Sequence, residues 1–367
     1  MNRAALLGGT TLVALMAFSP AMAGSVGTGK NMSVSLGGEV RFSAYVASQD
    51  EDNDARQAGV TTDAGELVIG ASGSSDNGFT YGVDIVLLAN VTDTQNGDKL
   101  WVTIGSDAMG TIHLGDIGSA ADEFKISGAS VLAGRGGFDG EHADVFNFGD
   151  SWIGGGTDPV SGNATKISYY SPSMNGFQIG ASFTPDAGAA GASFGEKDNN
   201  GSFENVLSAG IMYSAEVNGA SISASWVYES GDNEISTNAS GEGMGIGATA
   251  SFGNVSIAAG YATNNDTGLT NAQAAAGANA GSWMSAGIGY NMGAYNVSLG
   301  FYSSTVENAS GTPDSTNTAV SLDMDTEVAP GWTLAAGIGF NEAENRGGVA
   351  GDDNSGTSII IQNIWAF

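Results

Sequence analysis

The stretch FTYGVDIVLLANV, residues 79–91, decides the fold because its side chains alternate in character. Apolar residues occupy every second position from Phe79 to Val91, whereas the positions between them include Asp84 and Asn90. Successive residues of a strand point to opposite faces, so the stretch predicts a β-strand with one apolar and one mixed face. A helix would need apolar residues three and four positions apart, and this stretch lacks that spacing.

The same alternation recurs along the chain, and the connections between the strands alternate between short and long. SVSLGGEVRFSAYV (33–46) is a second strand of this kind. Short turns such as SSDNG (74–78) and APG (329–331) carry the residues that turns favour, and longer polar segments such as PDAGAAGASFGEKDNNGS (185–202) lie between them. About sixteen strands of roughly seven to fifteen residues follow from this pattern.

An even number of alternating strands, with short turns at one end and long loops at the other, is typical of a transmembrane antiparallel β-barrel. A closed ring pairs every backbone group, as lipid requires, and about sixteen strands leave a water-filled lumen. Two other all-β folds are weaker interpretations. A calcium-binding β-solenoid needs a repeat period that GDDNSG (351–356) and similar segments do not share, and a soluble sandwich needs a dry second face.

Composition limits the function classes. The chain has a formal net charge of −29, with 10 Lys and Arg against 39 Asp and Glu, so nucleic acid is not an expected partner. It contains 58 Gly and no Cys, so disulfides do not stabilise it. Hydrophobic residues make up 41% of the chain, and their regular pattern argues against intrinsic disorder.

The amino terminus predicts a cleaved signal peptide over residues 1–23. Arg3 precedes an apolar stretch from Ala4 to Phe18, and Ala21-Met22-Ala23 provides a small-x-small cleavage site. A short N-terminal anchor is the alternative. Residues 24–367 then form a single β-barrel domain.

The chain ends with SIIIQNIWAF (358–367), whose alternation places two sets of residues on opposite faces. One face has Ile359, Ile361, Trp365 and Phe367, and it also includes the polar Asn363. Such a strand suits a barrel wall between hydrocarbon and lumen, since an unprotected apolar edge would invite aggregation in a secreted protein.

Three features resemble the general diffusion porins of Gram-negative outer membranes, nearest the alphaproteobacterial type. They are GTIHLGD (110–116), the Ser-Pro and Gly-Phe hairpin in ATKISYYSPSMNGFQIGASFTP (164–185), and the terminal Phe367. The resemblance implies a homotrimer in contact with the lipid bilayer and lipopolysaccharide. It also implies that Trp365 and Phe367 lie at the membrane interface, with Phe367 read by the outer-membrane assembly machinery.

The long connection from about residue 116 to 163 resembles the loop that enters the lumen of porins and forms the constriction. It is rich in acidic residues, and SAADEFK (119–125) is expected to form a short helix in it. Alternation directs a few wall residues toward this loop, so that a negative loop faces several cations. The candidate constriction residues are Glu39, Arg41, Lys99, His113, Asp122, Glu123, Lys125, Arg135, Asp139, Glu141, Asp144 and Lys166.

These observations favour a passive, cation-preferring diffusion channel that needs no cofactor. A substrate-specific channel, for example for a sugar, and a non-conducting adhesin or structural barrel are the alternatives. An enzyme is not expected, because the chain has only two histidines, His113 and His142, and no GxSxG motif. Calcium binding by Asp139, Glu141 and Asp144 is a weaker hypothesis, and a solvated acidic loop explains the same residues.

Overall fold

The computed structural model describes residues 26–27, 32–51, 57–89, 97–134, 137–138, 140–149, 160–188 and 201–367. No helix within these ranges has the length and apolar character needed to cross a membrane. The predicted signal peptide and two candidate site residues, Arg135 and Asp139, lie outside the described residues.

Strands make up most of the described chain, and they are numbered here in chain order. Their bounds are β1 Val26–Gly27, β2 Met32–Gln49, β3 Ala58–Ser74, β4 Thr80–Leu88, β5 Gly97–Ser106, β6 Gly110–Asp116, β7 Thr165–Tyr170, β8 Phe177–Asp186, β9 Phe203–Val217, β10 Ala220–Asn233, β11 Gly241–Phe252, β12 Val255–Thr263, β13 Asn279–Asn291, β14 Tyr295–Glu307, β15 Ser315–Ala329, β16 Trp332–Glu344 and β17 Asn354–Ala366.

Strands β2 to β17 form a closed antiparallel barrel of sixteen strands. Each pairs with its neighbours in sequence, and β17 pairs with β2 to complete the ring, with Ile360 opposite Tyr45. The two-residue β1 adds to the start of β2, with Val26 opposite Val34. The predicted fold class and strand count are confirmed.

The connections also alternate as predicted. Short turns such as Asp107–Met109 and Asn218–Gly219 lie at one end of the barrel, called here the turn end, and the longer segments lie at the loop end. Besides the longest connection, two of the described longer segments contain helical turns, Asn271–Ala275 and Arg346–Gly348. The longest connection joins β6 at Asp116 to β7 at Thr165, within two residues of the predicted bounds.

Burial follows the alternation, with apolar side chains exposed outward and an inner face that mixes polar, small and buried apolar side chains. On β17, Ile359, Ile361 and Trp365 are 48–50% exposed on the outer face, whereas Gln362 is buried on the inner face. Asn363 lies on the apolar outer face, where its Oδ1 accepts a hydrogen bond of 3.4 Å from the indole Nε1–H of Trp332. A neighbouring tryptophan therefore supplies a hydrogen-bond donor for the side-chain oxygen of this asparagine.

The carboxyl terminus closes the barrel against glycine. Phe367 and Gly38 exchange two backbone N–H···O hydrogen bonds of 3.0 Å. A Cβ on Gly38 would lie 2.9 Å from Cζ of Phe367 and 2.2 Å from the carbonyl oxygen of Glu66. Only glycine fits at position 38, and the aromatic ring of Phe367 lies over it.

The long connection is called here the inner loop (residues 117–164), and its described residues lie along the inner wall of the barrel. Its described part contains three helical turns, Ala120–Phe124, Gly128–Val131 and Glu141–Asp144. The predicted helix within 119–125 is confirmed by the first of these.

Two kinds of wall residue hold the inner loop. Glycines allow its backbone to approach closely, since a Cβ on Gly247 or Gly287 would lie 2.1 Å from a carbonyl oxygen of the loop. Inward serines accept hydrogen bonds from loop N–H groups, including 2.8 Å from Ala120 to Ser182 Oγ and 2.9 Å from Gly128 to Ser285 Oγ. A subset of the wall glycines and serines therefore forms a surface that the loop contacts.

We expect Gly287→Ala to lower the thermal stability of the detergent-folded protein and to increase protease cleavage within residues 117–134. The added Cβ meets the Gly128 carbonyl oxygen at 2.1 Å, and overpacking of this kind costs about 1–3 kcal/mol. Gly97→Ala is the matched control, because a Cβ at Gly97 has nothing within 4 Å. Equal melting temperatures and cleavage rates for the two variants would contradict the proposed contact.

Candidate functional site

Arg41 on β2 lies at the centre of a cluster of carboxylates on the inner wall. It forms an ion pair with Glu141 of the inner loop, and its Nε lies 3.1 Å from Oδ2 of Asp63 and 4.0 Å from Oε1 of Glu39. One guanidinium thus faces three carboxylates. Arg41 points inward and faces an acidic residue of the inner loop, as alternation predicts, and its charge is paired with that residue.

Asp63 was missed by the sequence interpretation because a β-bulge interrupts its strand. Arg41 pairs with Ala64 and the next residue, Phe42, pairs with Thr62, which leaves Asp63 as the extra residue of β3. A bulge redirects the local side chains, and here it brings Asp63 to the inner face, where Ser43 Oγ donates to its Oδ2 at 3.1 Å. Strict alternation cannot identify such a residue.

Glu141 is mostly buried between the inner loop and the wall. Burial raises the pKa of its carboxyl to about 7, although the nearby Arg41 guanidinium favours the ionised form. The adjacent Asp63 carboxyl adds to the increase in pKa, because two negative charges at this distance repel each other. Glu141 therefore titrates near neutral pH.

The first helical turn of the inner loop, Ala120–Phe124, has two distinct faces. Ala120, Ala121 and Phe124 are buried against the wall. Asp122 and Glu123 are partly exposed, and Lys125 lies next to them with its Nζ 3.6 Å from Oδ1 of Asp122. Because the apolar side meets the wall, the charged side chains are directed toward the lumen.

Two predicted lumen residues are instead covered by neighbouring groups. His113 and Lys166 point inward as predicted, but each is only 2% exposed. His113 lies between the rings of Trp101 and Tyr170, with centroid distances of 6.5 and 5.3 Å. Alternation gives the direction of a side chain but not what covers it.

Two further predicted residues in the described ranges, Lys99 and Asp144, are accessible. Lys99 lies opposite Val86, on the inner face of β5, and is partly exposed. Asp144 is exposed on the Glu141–Asp144 turn. No group of three or more His, Cys, Asp or Glu within the described ranges could hold a metal ion. Because Asp139 lies outside those ranges, calcium binding stays a prediction.

The loop also contributes His142 to a buried Ser–His–Asp arrangement. His142 Nδ1 lies 2.6 Å from Ser358 Oγ, and its Nε2 lies 3.3 Å from Oδ1 of Asp323. These types of residue form hydrolytic triads, but none of the three is more than 2% exposed. A substrate cannot reach Ser358 in this arrangement, so the three residues fasten the loop to β15 and β17.

Asn354 joins the far part of the loop to the barrel seam. Its Nδ2 donates to the carbonyl oxygen of Asn147 at 2.9 Å and to Oε1 of Gln49 at 3.0 Å. Gln49 Oε1 in turn accepts from the Asn147 backbone N–H at 2.8 Å. The end of β2, the start of β17 and the loop are therefore held together by side-chain amides.

Solved structures of outer-membrane porins share this architecture. An anion-selective porin from Comamonas acidovorans is 16% identical, with a TM-score of 0.64 over 92% of this chain and 100% of that chain. A trimer form of OmpT, an outer membrane protein of Vibrio cholerae, is 11% identical, with a TM-score of 0.58 over 92% and 100%. A mutant of the Rh. blastica porin is 16% identical, with a TM-score of 0.55 over 91% and 100%.

No curated protein matches the chain significantly. The family model described as Gram-negative porin, however, matches residues 10–346, which is most of the sequence. With the closed sixteen-strand barrel and the loop along its inner wall, this match shows that the chain belongs to the Gram-negative porin family.

Proposed function

We propose that this porin is a passive, cation-preferring diffusion channel for small hydrophilic solutes and ions across the outer membrane. The single observation that carries the cation preference is the Arg41 cluster, in which one guanidinium faces Glu39, Asp63 and Glu141. An excess of carboxylates in a narrow, low-dielectric lumen attracts cations and repels anions.

The other cations of the described chain add little positive charge to the lumen. Lys125 is paired with Asp122, and Lys166 is buried. Arg346 at the loop end is paired with Glu51 and Asp352. Lys99 remains as a partly exposed inward cation. The described charges on the lumen side are therefore mainly negative, as is the formal net charge of the whole chain, −29.

The fold alone does not determine ion preference, since the similar Comamonas acidovorans porin is named as anion-selective. The lining charges must set the sign. A sugar-specific channel is less favoured, because Trp101 and Tyr170 are only 4% and 1% exposed and cannot offer their faces to a passing sugar. We also propose that the protein is not an enzyme, since Ser358, His142 and Asp323 are inaccessible.

We further propose a homotrimer whose contact includes β6 and β7. These strands have seven and six residues, whereas a tilted strand needs about 9–11 residues to cross the hydrocarbon layer. A part of the barrel wall with strands this short is better covered by protein than by lipid. A similar structure, OmpT, is described as a trimer form.

The proposed location is the Gram-negative outer membrane, reached after cleavage of the signal peptide. The turn end then faces the periplasm, and the loop end meets lipopolysaccharide. Trp365 stacks on Trp332 with a centroid distance of 4.8 Å at the turn end, which suits an interfacial aromatic girdle. Phe367 beside it is proposed as the signal read by the assembly machinery.

Neutralising Asp63 or Glu141 should weaken cation preference. In planar bilayers under a KCl gradient, Asp63→Asn and Glu141→Gln are each expected to lower the K⁺/Cl⁻ permeability ratio by about two- to five-fold. Asp76→Asn, on an exposed turn at the turn end, is the matched control and should leave the reversal potential unchanged. Anion preference in the unmodified protein would overturn the proposal.

Cation preference should also fall as the pH decreases through about 7. Glu141 has its raised pKa there, so it loses its negative charge below that pH and regains it above. Reversal potentials recorded at about pH 8 and about pH 6 test this. Glu141→Gln should remove the part of the change that this carboxyl causes, and an unaltered pH dependence in that variant would assign the change to other groups.

Single cysteines can test the proposed trimer contact, because the chain has no native cysteine. Ile167→Cys on β7 and Leu322→Cys on β15 both place the thiol outward, at residues 57% and 49% exposed, on nearly opposite sides of the ring. A flexible bis-maleimide is expected to cross-link the Ile167 variant in membranes far more than the Leu322 variant. Preferential cross-linking of the Leu322 variant would place the contact on the other side of the barrel.

A further inference from the structure

Lys166 is a buried lysine whose ammonium group binds backbone carbonyls. Its Nζ donates to the carbonyl oxygens of Gly162 and Ala164, both at 2.7 Å, and to that of Ile117. An ammonium group has three N–H donors, and each of them meets a carbonyl here. The side chain is 2% exposed, so its charge is used within the protein and not in the lumen.

The three carbonyls come from the two ends of the inner loop. Ile117 directly follows β6, whereas Gly162 and Ala164 lie just before β7. Gly162 and Ala164 are close to Lys166 in sequence, but Ile117 is 49 positions away. The contact with Ile117 therefore joins the entry of the loop to its exit.

Other contacts around Lys166 strengthen the same region. Asn163 Nδ2 donates to Asp98 Oδ1 at 3.0 Å, which ties the exit of the loop to β5. Glu229 of β10 accepts from the backbone N–H and the hydroxyl of Ser161, both at 2.9 Å. These bonds hold the exit to the wall. The ladder pair Asp116–Thr165 and the hydrogen bond from Thr165 Oγ1 to Asp116 Oδ1 join the ends of β6 and β7, and Lys166 extends this link to Ile117, the first residue of the loop.

The entry of the loop determines where its charges lie. The turn Ala120–Phe124 begins three residues after Ile117 and carries Asp122 and Glu123 on its lumen side. A shift of Ile117 would move this turn away from the Ser182 and Ser208 hydroxyls that accept its N–H groups. The position of Ile117 is thus linked to the width and charge of the constriction.

We propose that Lys166 is a positioning residue that clamps the base of the inner loop and so keeps the constriction open at a fixed size. The inference rests on the proposed channel function. It assigns Lys166 no direct contact with permeating ions. Loss of the ammonium removes this donor from the carbonyl oxygens of Ile117, Gly162 and Ala164, so it should loosen the loop and not merely change the lumen charge.

The first test is Lys166→Met in single-channel recording and limited proteolysis. We expect a folded barrel whose open-channel current noise rises, whose closing voltage falls, and whose inner loop is cleaved about tenfold faster. Lys125→Met is the comparison, because it removes an equal charge from the inner loop itself without breaking a bond at the base of the loop. It should shift the ion preference while leaving the cleavage rate unchanged.

A chemical rescue separates the ammonium group from other effects of substitution. Lys166→Cys, alkylated in the unfolded state with bromoethylamine, regains an ammonium of nearly the same length, whereas iodoacetamide gives a neutral side chain. The chain has no other cysteine, so only this position reacts. Aminoethylation is expected to restore quiet channels and slow cleavage, and carbamidomethylation is not.

The clamp is overturned if the Met variant or the carbamidomethylated protein has the same current noise, closing voltage and cleavage rate as the unmodified protein. It is also overturned if aminoethylation does not restore these three properties. If Lys166→Met does not fold, folding of the aminoethylated protein alone supports the clamp, and folding of both alkylated forms with equal cleavage rates contradicts it. Absence of conductance in the unmodified protein would instead reject the proposed function, while the cleavage rates would still test the clamp.

Discussion

Backbone hydrogen bonding is the constraint on which the rest of this structure depends. Hydrocarbon offers no partner for an N–H or C=O group, so each must be satisfied within the protein. The chain meets this requirement by closing sixteen strands into a ring, with β17 paired to β2. Closure leaves the inner faces free of packing against a second sheet, and these faces are therefore available for polar groups, water and the inner loop.

The same constraint explains the composition of the inner wall. The inner loop has its own backbone donors, and inward serines such as Ser182 and Ser285 accept from them. Glycines such as Gly247 and Gly287 remove the side chains that would keep the two backbones apart. The loop then places Glu141 next to Arg41, so that the Arg41 cluster is built from both wall and loop.

Alternation predicted the barrel and the directions of most site residues, because the face on which a strand residue lies is a local property. Glu39, Arg41 and Lys99 were placed correctly on the inner face for this reason. Alternation failed at Asp63, where a bulge adds a residue to β3. It also could not show that Arg41 meets Glu141, 100 positions away, or that Lys166 is buried by the loop ends. Those properties depend on long-range packing, which a strand pattern does not contain.

The seam between β2 and β17 has a consequence for how the molecule folds. Every other strand pair joins neighbours in sequence, whereas Ile360 and Tyr45 come from opposite ends of the chain. Pairing over such a separation carries a large loop-closure entropy and is expected to be a late and slow step. Ser358 and Asn354, which hold His142 and Asn147 of the inner loop, belong to that last strand. Final docking of the inner loop and closure of the ring are therefore coupled, because an incomplete barrel also lacks the β17 residues that hold the loop.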